Sequence, residues 1–231
     1  MTVPGLDHEP RKPFISAMVA DIHERLVYRR RIRAINRLIA DHVPEGIVLD
    51  VGCGNGEQAQ HLMDVRADVR VIGLEVKIRP TEPIEMVHYE GGAFPFADRS
   101  FGGVLIIDTL HHIQQSREVL AESLRVTRGP VVIKDHFYKN QFEHLLLRLL
   151  DLAGNAAHGV SSIYNYFRRE TWNQMLEVIA AEETFRIEEV PGEYPRFFQP
   201  LLGRRIQFVA VIRNKEPLND DDGGQADPSE G

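Results

Sequence analysis

Hydrophobic positions follow two alternating spacings in the middle of this 231-residue chain. Short apolar runs are typical of buried strands and predict five of them, at 47–51, 69–75, 85–90, 103–108 and 131–135. Between these runs, apolar residues recur every three to four positions, which predicts helices most clearly at 57–65 and 116–127. Strands that alternate with helices favour a parallel sheet covered by helices.

The patterns on both sides of this region extend the prediction to one domain over residues 14–213. A helical pattern runs from Phe14 to His42. Further elements predicted after the fifth strand are helices at 142–153 and 170–181 and strands at 184–190 and 205–213. Residues 1–13 are polar and contain prolines, and residues 214–231 are acidic and rich in glycine. We expect a flexible N-terminus and a disordered tail, because neither segment can bury enough apolar surface to fold.

Composition and charge exclude several classes of protein. The formal net charge of −7 argues against a general nucleic-acid binder, which is usually basic, so no nucleic-acid partner is expected. Cys53 is the sole cysteine, so the chain cannot form an internal disulfide, as is usual in a reducing compartment. No apolar run approaches the roughly 18–20 residues that a transmembrane helix needs, and the first residues lack a signal-peptide core. The predicted location is the cytoplasm, and no particular oligomeric state is predicted.

The segment VLDVGCGNG, residues 48–56, combines a buried strand with a glycine turn. Asp50 stands in its apolar run, and the glycines follow at alternate positions, Gly52, Gly54 and Gly56. Glycine allows positive φ and lets a ligand lie against bare peptide groups, and a helix start offers unpaired N–H groups. The dinucleotide fingerprint requires a further glycine where this chain has Glu57. An acid beside this turn favours a ligand with a cationic or hydrogen-donating part over a pyrophosphate.

Four ordered motifs between residues 47 and 135 resemble those of class I S-adenosylmethionine-dependent methyltransferases. They are the glycine segment just described, VIGLE ending at Glu75, YEGGAFPFADRSF at 89–101, and VLIIDTLHHI at 104–113. The resemblance implies an α/β fold of the Rossmann-like, three-layer type, with a mostly parallel seven-stranded sheet and an antiparallel last strand. It also implies S-adenosylmethionine as the cofactor.

The resemblance carries over to particular cofactor-binding residues. Glu75 would accept the ribose hydroxyls, and Asp50 would orient the loop and the cationic methionine part of the cofactor. Glu90 would accept a hydrogen bond from the adenine amino group, although the family usually has Asp there. The complete predicted set is Asp50, Gly52, Cys53, Gly54, Gly56, Glu75, Glu90, Gly91 and Asp108. A second departure is Gly102, where the family often has an Asp that supports the neighbouring loop.

Four polar residues at the ends of the fourth and fifth strands are the candidate catalytic residues. They are His111, His112, Asp135 and His136. A histidine at this edge can act as a base or orient the acceptor, and the alternative is that it packs against the adjacent helix. We predict no metal site, because the histidine pair is adjacent rather than four residues apart and no cysteine cluster exists.

Residues 136–168 form an insertion that is a candidate substrate lid. Its pattern D-x-x-G-N-x-x-H-G-V before Y-N-Y resembles an uncharacterised branch of these methyltransferases. The matching residues are Asp151, Gly154, Asn155, His158, Gly159, Val160, Tyr164, Asn165 and Tyr166. Polar and aromatic groups among small residues are typical of a binding loop, and a structural loop that satisfies buried backbone groups is the alternative.

Together these features favour methyl transfer to a small molecule. The first predicted helix carries five arginines, namely Arg29, Arg30, Arg31, Arg33 and Arg37. The simpler interpretation is a solvated helix face. The cluster also leaves open a lipid-like or anionic acceptor and peripheral contact with a membrane. The alternative function is a non-catalytic methyltransferase-like protein that binds the cofactor or a partner. A nicotinamide oxidoreductase is disfavoured by the glycine spacing.

Overall fold

The computed structural model describes residues 28–77, 83–155, 163–194, 196–197, 199 and 204–215. Seven strands form one sheet, namely β1 (Gly46–Val51), β2 (Val69–Glu75), β3 (Glu85–His88), β4 (Gly103–Ile107), β5 (Val131–Asp135), β6 (Ala181–Glu189) and β7 (Arg204–Asn214). The strand order is β3-β2-β1-β4-β5-β7-β6. Strand β7 runs antiparallel to both of its neighbours, whereas β1 to β5 pair in parallel.

Helices cover both faces of this sheet. The α-helices are α1 (Arg29–Ile39), α2 (Glu57–Val65), α3 (Ser116–Val126), α4 (Gln141–Asn155) and α5 (Arg169–Val178), and 3-10 turns lie at Ala40–His42 and Leu110–His112. None of the helices within the described ranges is long and apolar enough to cross a membrane.

The central strands are buried on both faces, which explains their nearly continuous apolar sequences. In β1, Val48 belongs to the core shared with α1 and α2, whereas its neighbour Leu49 belongs to the core shared with α3 and α5. Successive side chains of a strand point to opposite faces, so one apolar run serves two cores. The three-layer sandwich with a mostly parallel sheet and an antiparallel last strand is confirmed.

Most predicted elements agree with the structure to within a few residues, and the differences occur where the backbone turns. The strand expected over 103–108 ends at Ile107, because Asp108 has a φ of 52°. The helix expected over 170–181 ends at Val178, and Ala180, with a φ of 52°, starts the turn into β6. The predicted flexible N-terminus and nearly all of the predicted tail lie outside the described residues, so the domain limits stay predictions.

Candidate active site

The predicted site residues gather at one edge of the sheet. The chain leaves β1 towards β2 on one side and later enters β4 on the other, so the order reverses between β1 and β4. Ligands of open α/β sheets bind at the carboxyl ends of the strands beside such a reversal. The segments that follow β1, β2, β4 and β5 therefore form the candidate active site.

The glycine loop after β1 needs its glycines for two different reasons. Gly52, Gly54 and Gly56 all have positive φ, at 71°, 60° and 75°. A Cβ on Gly52 would lie 2.2 Å from the Thr109 side chain, whose hydroxyl donates a hydrogen bond to the Gly52 carbonyl at 3.2 Å. A Cβ on Gly54 would meet no described atom within 4 Å. The loop is therefore packed at Gly52 and open at Gly54.

Two acids lie beside the open part of the loop. Glu75, at the end of β2, accepts hydrogen bonds from the backbone N–H of Gly54 at 2.9 Å and of Val76 at 2.8 Å. Asp50 is buried in β1, and burial, with the nearby Glu75 charge, raises its pKa to about 7. A carboxyl taken out of water in this way is best neutralised by a cation or a hydrogen donor. These residues fit the cationic methionine part and the ribose of S-adenosylmethionine.

The segment after β3 is anchored by Glu122 and Arg125 of α3. The Phe94 N–H donates to Glu122 at 2.7 Å, and Arg125 donates to the Phe96 carbonyl at 2.9 Å and to Asp98 at 2.7 Å. These contacts support the loop where Gly102 departs from the family pattern. Residues 90 and 91 remain exposed, so their adenine contact stays a prediction.

The carboxylate of Asp108 pairs with two cations. Its Oδ2 lies 2.5 Å from Arg31 of α1, and its Oδ1 lies 2.5 Å from the fully buried Lys134 of β5. Burial alone would raise the pKa of Asp108, but Arg31 and Lys134 hold it well below its usual range. Glu193, also fully buried, pairs with Arg31 at 2.6 Å and with Lys134 at 3.3 Å. The predicted cofactor residue Asp108 is thus part of a balanced group of four charges.

Sequence reasoning missed most of this charge group. Lys134 and Glu193 received no role, although a lysine inside the apolar run VVIKD was a usable signal. The arginines of α1 divide between two environments. Arg31 joins the charge group, Arg30 donates to the Gly192 carbonyl at 2.8 Å, and the other three are exposed. The exposure of Arg29, Arg33 and Arg37 agrees with a solvated face, and contact of these three arginines with an anionic partner stays a prediction.

The four candidate catalytic residues form one cluster, in which His112 is partly exposed and the other three are buried. Asp135 accepts a hydrogen bond from His111 Nδ1 at 2.7 Å and from the His136 backbone N–H at 2.8 Å. Burial lowers the pKa of His111, but the charge and hydrogen bond of Asp135, together with Asp151 and Asp108, outweigh burial and raise it to about 9. Burial, with the Lys134 charge, lowers the pKa of His136 to about 4. Burial also lowers the pKa of His112, so neighbouring imidazoles differ in charge at neutral pH.

The insertion after β5 brings part of its motif to this cluster. Tyr166 stacks on His111 with ring centroids 5.1 Å apart, and its buried hydroxyl has no hydrogen-bond partner within the described part of the chain. Asn165 donates to the Ile113 carbonyl at 2.9 Å, as the structural-loop interpretation expects. Asp151, on α4, lies 3.6 Å from His112. The motif residues His158, Gly159 and Val160 lie outside the described residues, and for Gly154 and Asn155 only the backbone is described.

Comparisons with known proteins agree with this geometry. The family model described as a methyltransferase domain matches residues 49–130. Demethylmenaquinone methyltransferase of Renibacterium salmoninarum is 28% identical over 188 residues, which cover 72% of this chain and 78% of that relative.

Solved methyltransferase structures share the fold at low identity. A SAM-dependent methyltransferase from Methanosarcina mazei superposes with a TM-score of 0.56 at 17% identity, covering 78% of this chain and 98% of the other. Geranyl diphosphate methyltransferase, in complex with GPP and sinefungin, gives a TM-score of 0.61 at 13% identity, covering 80% and 78%. Residues 49–130 therefore resemble a methyltransferase domain, and the chain has the class I S-adenosylmethionine-dependent methyltransferase fold.

Proposed function

We propose that this protein transfers the methyl group of S-adenosylmethionine to a small-molecule acceptor. One observation carries the proposal: a buried acid of raised pKa, Asp50, lies beside a glycine loop that is open at Gly54. A cationic ligand that lies against bare backbone satisfies both features at once. The histidine cluster at the ends of β4 and β5 then supplies the acceptor side of the site.

Different residues of the chain bind different parts of the cofactor. Bound S-adenosylmethionine supplies an electrophilic methyl group. Glu75 accepts the ribose hydroxyls and keeps the loop in place through the Gly54 N–H, and Asp50 faces the cationic part. The backbone of Gly52, Cys53 and Gly56 lines the methionine side, and the helix that begins at Glu57 points its positive dipole end towards it. Glu90 and Gly91 hold the adenine edge.

Positioning of the acceptor falls to the histidine cluster. Methyl transfer from a sulfonium is an in-line displacement, so alignment of donor and acceptor supplies much of the acceleration. Asp135 fixes the ring of His111, and Tyr166 stacks on that ring from the insertion. His111, His112 and His136 thereby present imidazole groups to the acceptor from a rigid base, while α4 and Tyr166 cover them.

Two comparisons favour a small molecule as the acceptor. The Renibacterium relative is named for demethylmenaquinone, and the superposed structure for geranyl diphosphate. The net charge of −7 also disfavours nucleic acid. An acceptor with an apolar part and one polar reacting group suits a site in which Tyr166 and histidines meet.

Calorimetric titration with S-adenosylmethionine tests the donor site directly. We expect binding to the wild-type protein, strong weakening in Glu75→Ala, and little change in Glu85→Ala, whose carboxylate is exposed on β3. An absence of binding to the wild type would refute the proposal. Incubation with labelled S-adenosylmethionine and cell extract then separates an enzyme, which yields a labelled product, from a non-catalytic cofactor-binding protein, which does not.

A further inference from the structure

Three ligand-type atoms converge at the outer side of the histidine cluster. Asp151 Oδ1 lies 3.8 Å from His111 Nε2 and 3.6 Å from His112 Nε2. The three residues can each offer one such atom with all of these atoms within 4.8 Å of one another. Ligands about 2.0–2.1 Å from a tetrahedral metal lie about 3.4 Å apart. The two distances from Asp151 therefore need to shorten by a few tenths of an ångström, and the distance between the two imidazole nitrogens by at most about 1.4 Å, to reach this geometry.

The surroundings of His111 orient it as metal ligands are oriented. Its Nδ1–H donates to Asp135 at 2.7 Å, which leaves Nε2 as the nitrogen that would release its proton and bind a metal ion. A carboxylate behind a histidine in this way sets the tautomer and raises the basicity of the ligating nitrogen. Asp135 is itself held by the backbone N–H groups of His111 and His136. The carboxylate and the ring are therefore both fixed before any ligand arrives.

Charge and polarity around the atoms also point to a cation. Asp135 and Asp151 bring two carboxylates to a site in which His111 and Asp135 are buried and Asp151 and His112 are mostly buried. Buried charges are normally paired or bound to a metal ion. The Nδ1 atom of His112 is buried and makes no hydrogen bond within the described ranges, so this ring can rotate or shift without breaking one.

We propose that His111, His112 and Asp151 bind one divalent transition-metal ion, of which Zn²⁺ is the best match. Two imidazoles and one carboxylate suit Zn²⁺, Fe²⁺ or Co²⁺, whereas Mg²⁺ and Ca²⁺ prefer oxygen ligands. The alternative set of His111, Asp135 and His136 is less suitable, because Asp135 Oδ1 already accepts the His111 proton. Three protein ligands leave one position open, as in catalytic zinc sites.

The open position has a use that rests on the proposed function. An acceptor oxygen bound there would be held beside the histidine cluster and would lose its proton more easily. The ion would also explain why the D-x-x-G-N motif carries Asp151 to the histidine pair. In the sequence, the adjacency of His111 and His112 argued against a metal site. The 3-10 turn Leu110–His112 nevertheless brings the two imidazole rings together, with centroids 4.0 Å apart and planes at 45°.

Direct measurement of metal binding tests this proposal. The full chain is freed of metal with a chelator and titrated with Zn²⁺ by calorimetry, and with Co²⁺ by visible absorption, in which a four-coordinate site gives intense bands. We expect one equivalent of either ion to bind. Asp151→Asn and His112→Gln should each weaken binding at least about 10-fold, in line with loss of a ligand group. Asp64→Asn, which alters an exposed aspartate of α2, is the matched control and should bind as the wild type does.

The outcomes separate this inference from the proposed function. Circular dichroism and S-adenosylmethionine titration of each variant show whether it is folded, since the glycine loop is left intact. Failure of the wild type to bind Zn²⁺ or Co²⁺, or unchanged binding in both folded variants, overturns the metal site while leaving the donor site standing. If S-adenosylmethionine does not bind the wild type, the proposed function fails whatever the metal does.

Discussion

Replacement of Asp50 by asparagine should change how the stability of this protein depends on pH. The pKa of Asp50 is raised from 3.8 to about 7 by burial and by Glu75, so the folded protein holds a proton that the unfolded chain has released. Stability therefore falls as pH rises from the unfolded pKa towards the folded one and is lowest above it. Ionising a carboxyl whose pKa has risen this far costs the folded state at most about 4 kcal/mol at alkaline pH.

The measurable quantity is the difference in unfolding free energy between Asp50→Asn and the wild type. Between about pH 5 and about pH 8 this difference should grow by about 3 kcal/mol in favour of the variant, since only the wild type must ionise a buried carboxyl. Urea denaturation at both pH values measures this difference in unfolding free energy. Any effect of the asparagine amide on packing is the same at both pH values and cancels when the two differences are compared. Asp41→Asn, at an exposed position, should show no such growth.

The same substitution should act in the opposite direction on cofactor binding. A cation next to Asp50 favours its ionised form, so the wild type should bind S-adenosylmethionine more tightly at about pH 8 than at about pH 5 and release a proton on binding near neutrality. Asp50→Asn should bind weakly at both. Equal pH dependence of stability in the variant and the wild type would refute the assignment of the raised pKa to Asp50 and remove the main support for the donor site.

Three further substitutions test other parts of the structure. Gly52→Ala should lower the unfolding free energy by about 1–3 kcal/mol or more in thermal denaturation, since it adds backbone strain and a clash with Thr109; Gly46→Ala, at positive φ in open space, isolates the strain. Lys134→Met should cost about 3–5 kcal/mol because Asp108 and Glu193 lose a buried partner, and unchanged stability would contradict the charge group. Tyr166→Phe should leave stability unchanged or slightly raised but reduce methyl transfer, and full activity would exclude a role for the hydroxyl.

Much of the donor side of the site was predictable because its parts are local in sequence. The glycine turn, Asp50 and Glu75 each follow or end an apolar run, and the ends of parallel strands meet at one edge whatever the details of packing. Boundaries were less predictable. At residues 108 and 180 a positive φ ends the predicted strand and the predicted helix, although the hydrophobic pattern continues. Neither aspartate nor alanine requires a positive φ, so the sequence does not predict these ends.

By itself the sequence determined the sheet, its two covering layers and the place of the glycine loop, Asp50 and Glu75 near the strand ends, because hydrophobic spacing and chain order encode them directly. Only the tertiary structure decided how the polar side chains pair. Asp108 pairs with Arg31, 77 residues away in the sequence. Asp151 reaches the adjacent histidines across the fold. Such pairings depend on how the helices pack on the sheet. Packing decides which charged groups are buried together and must pair, and a local sequence pattern does not encode that.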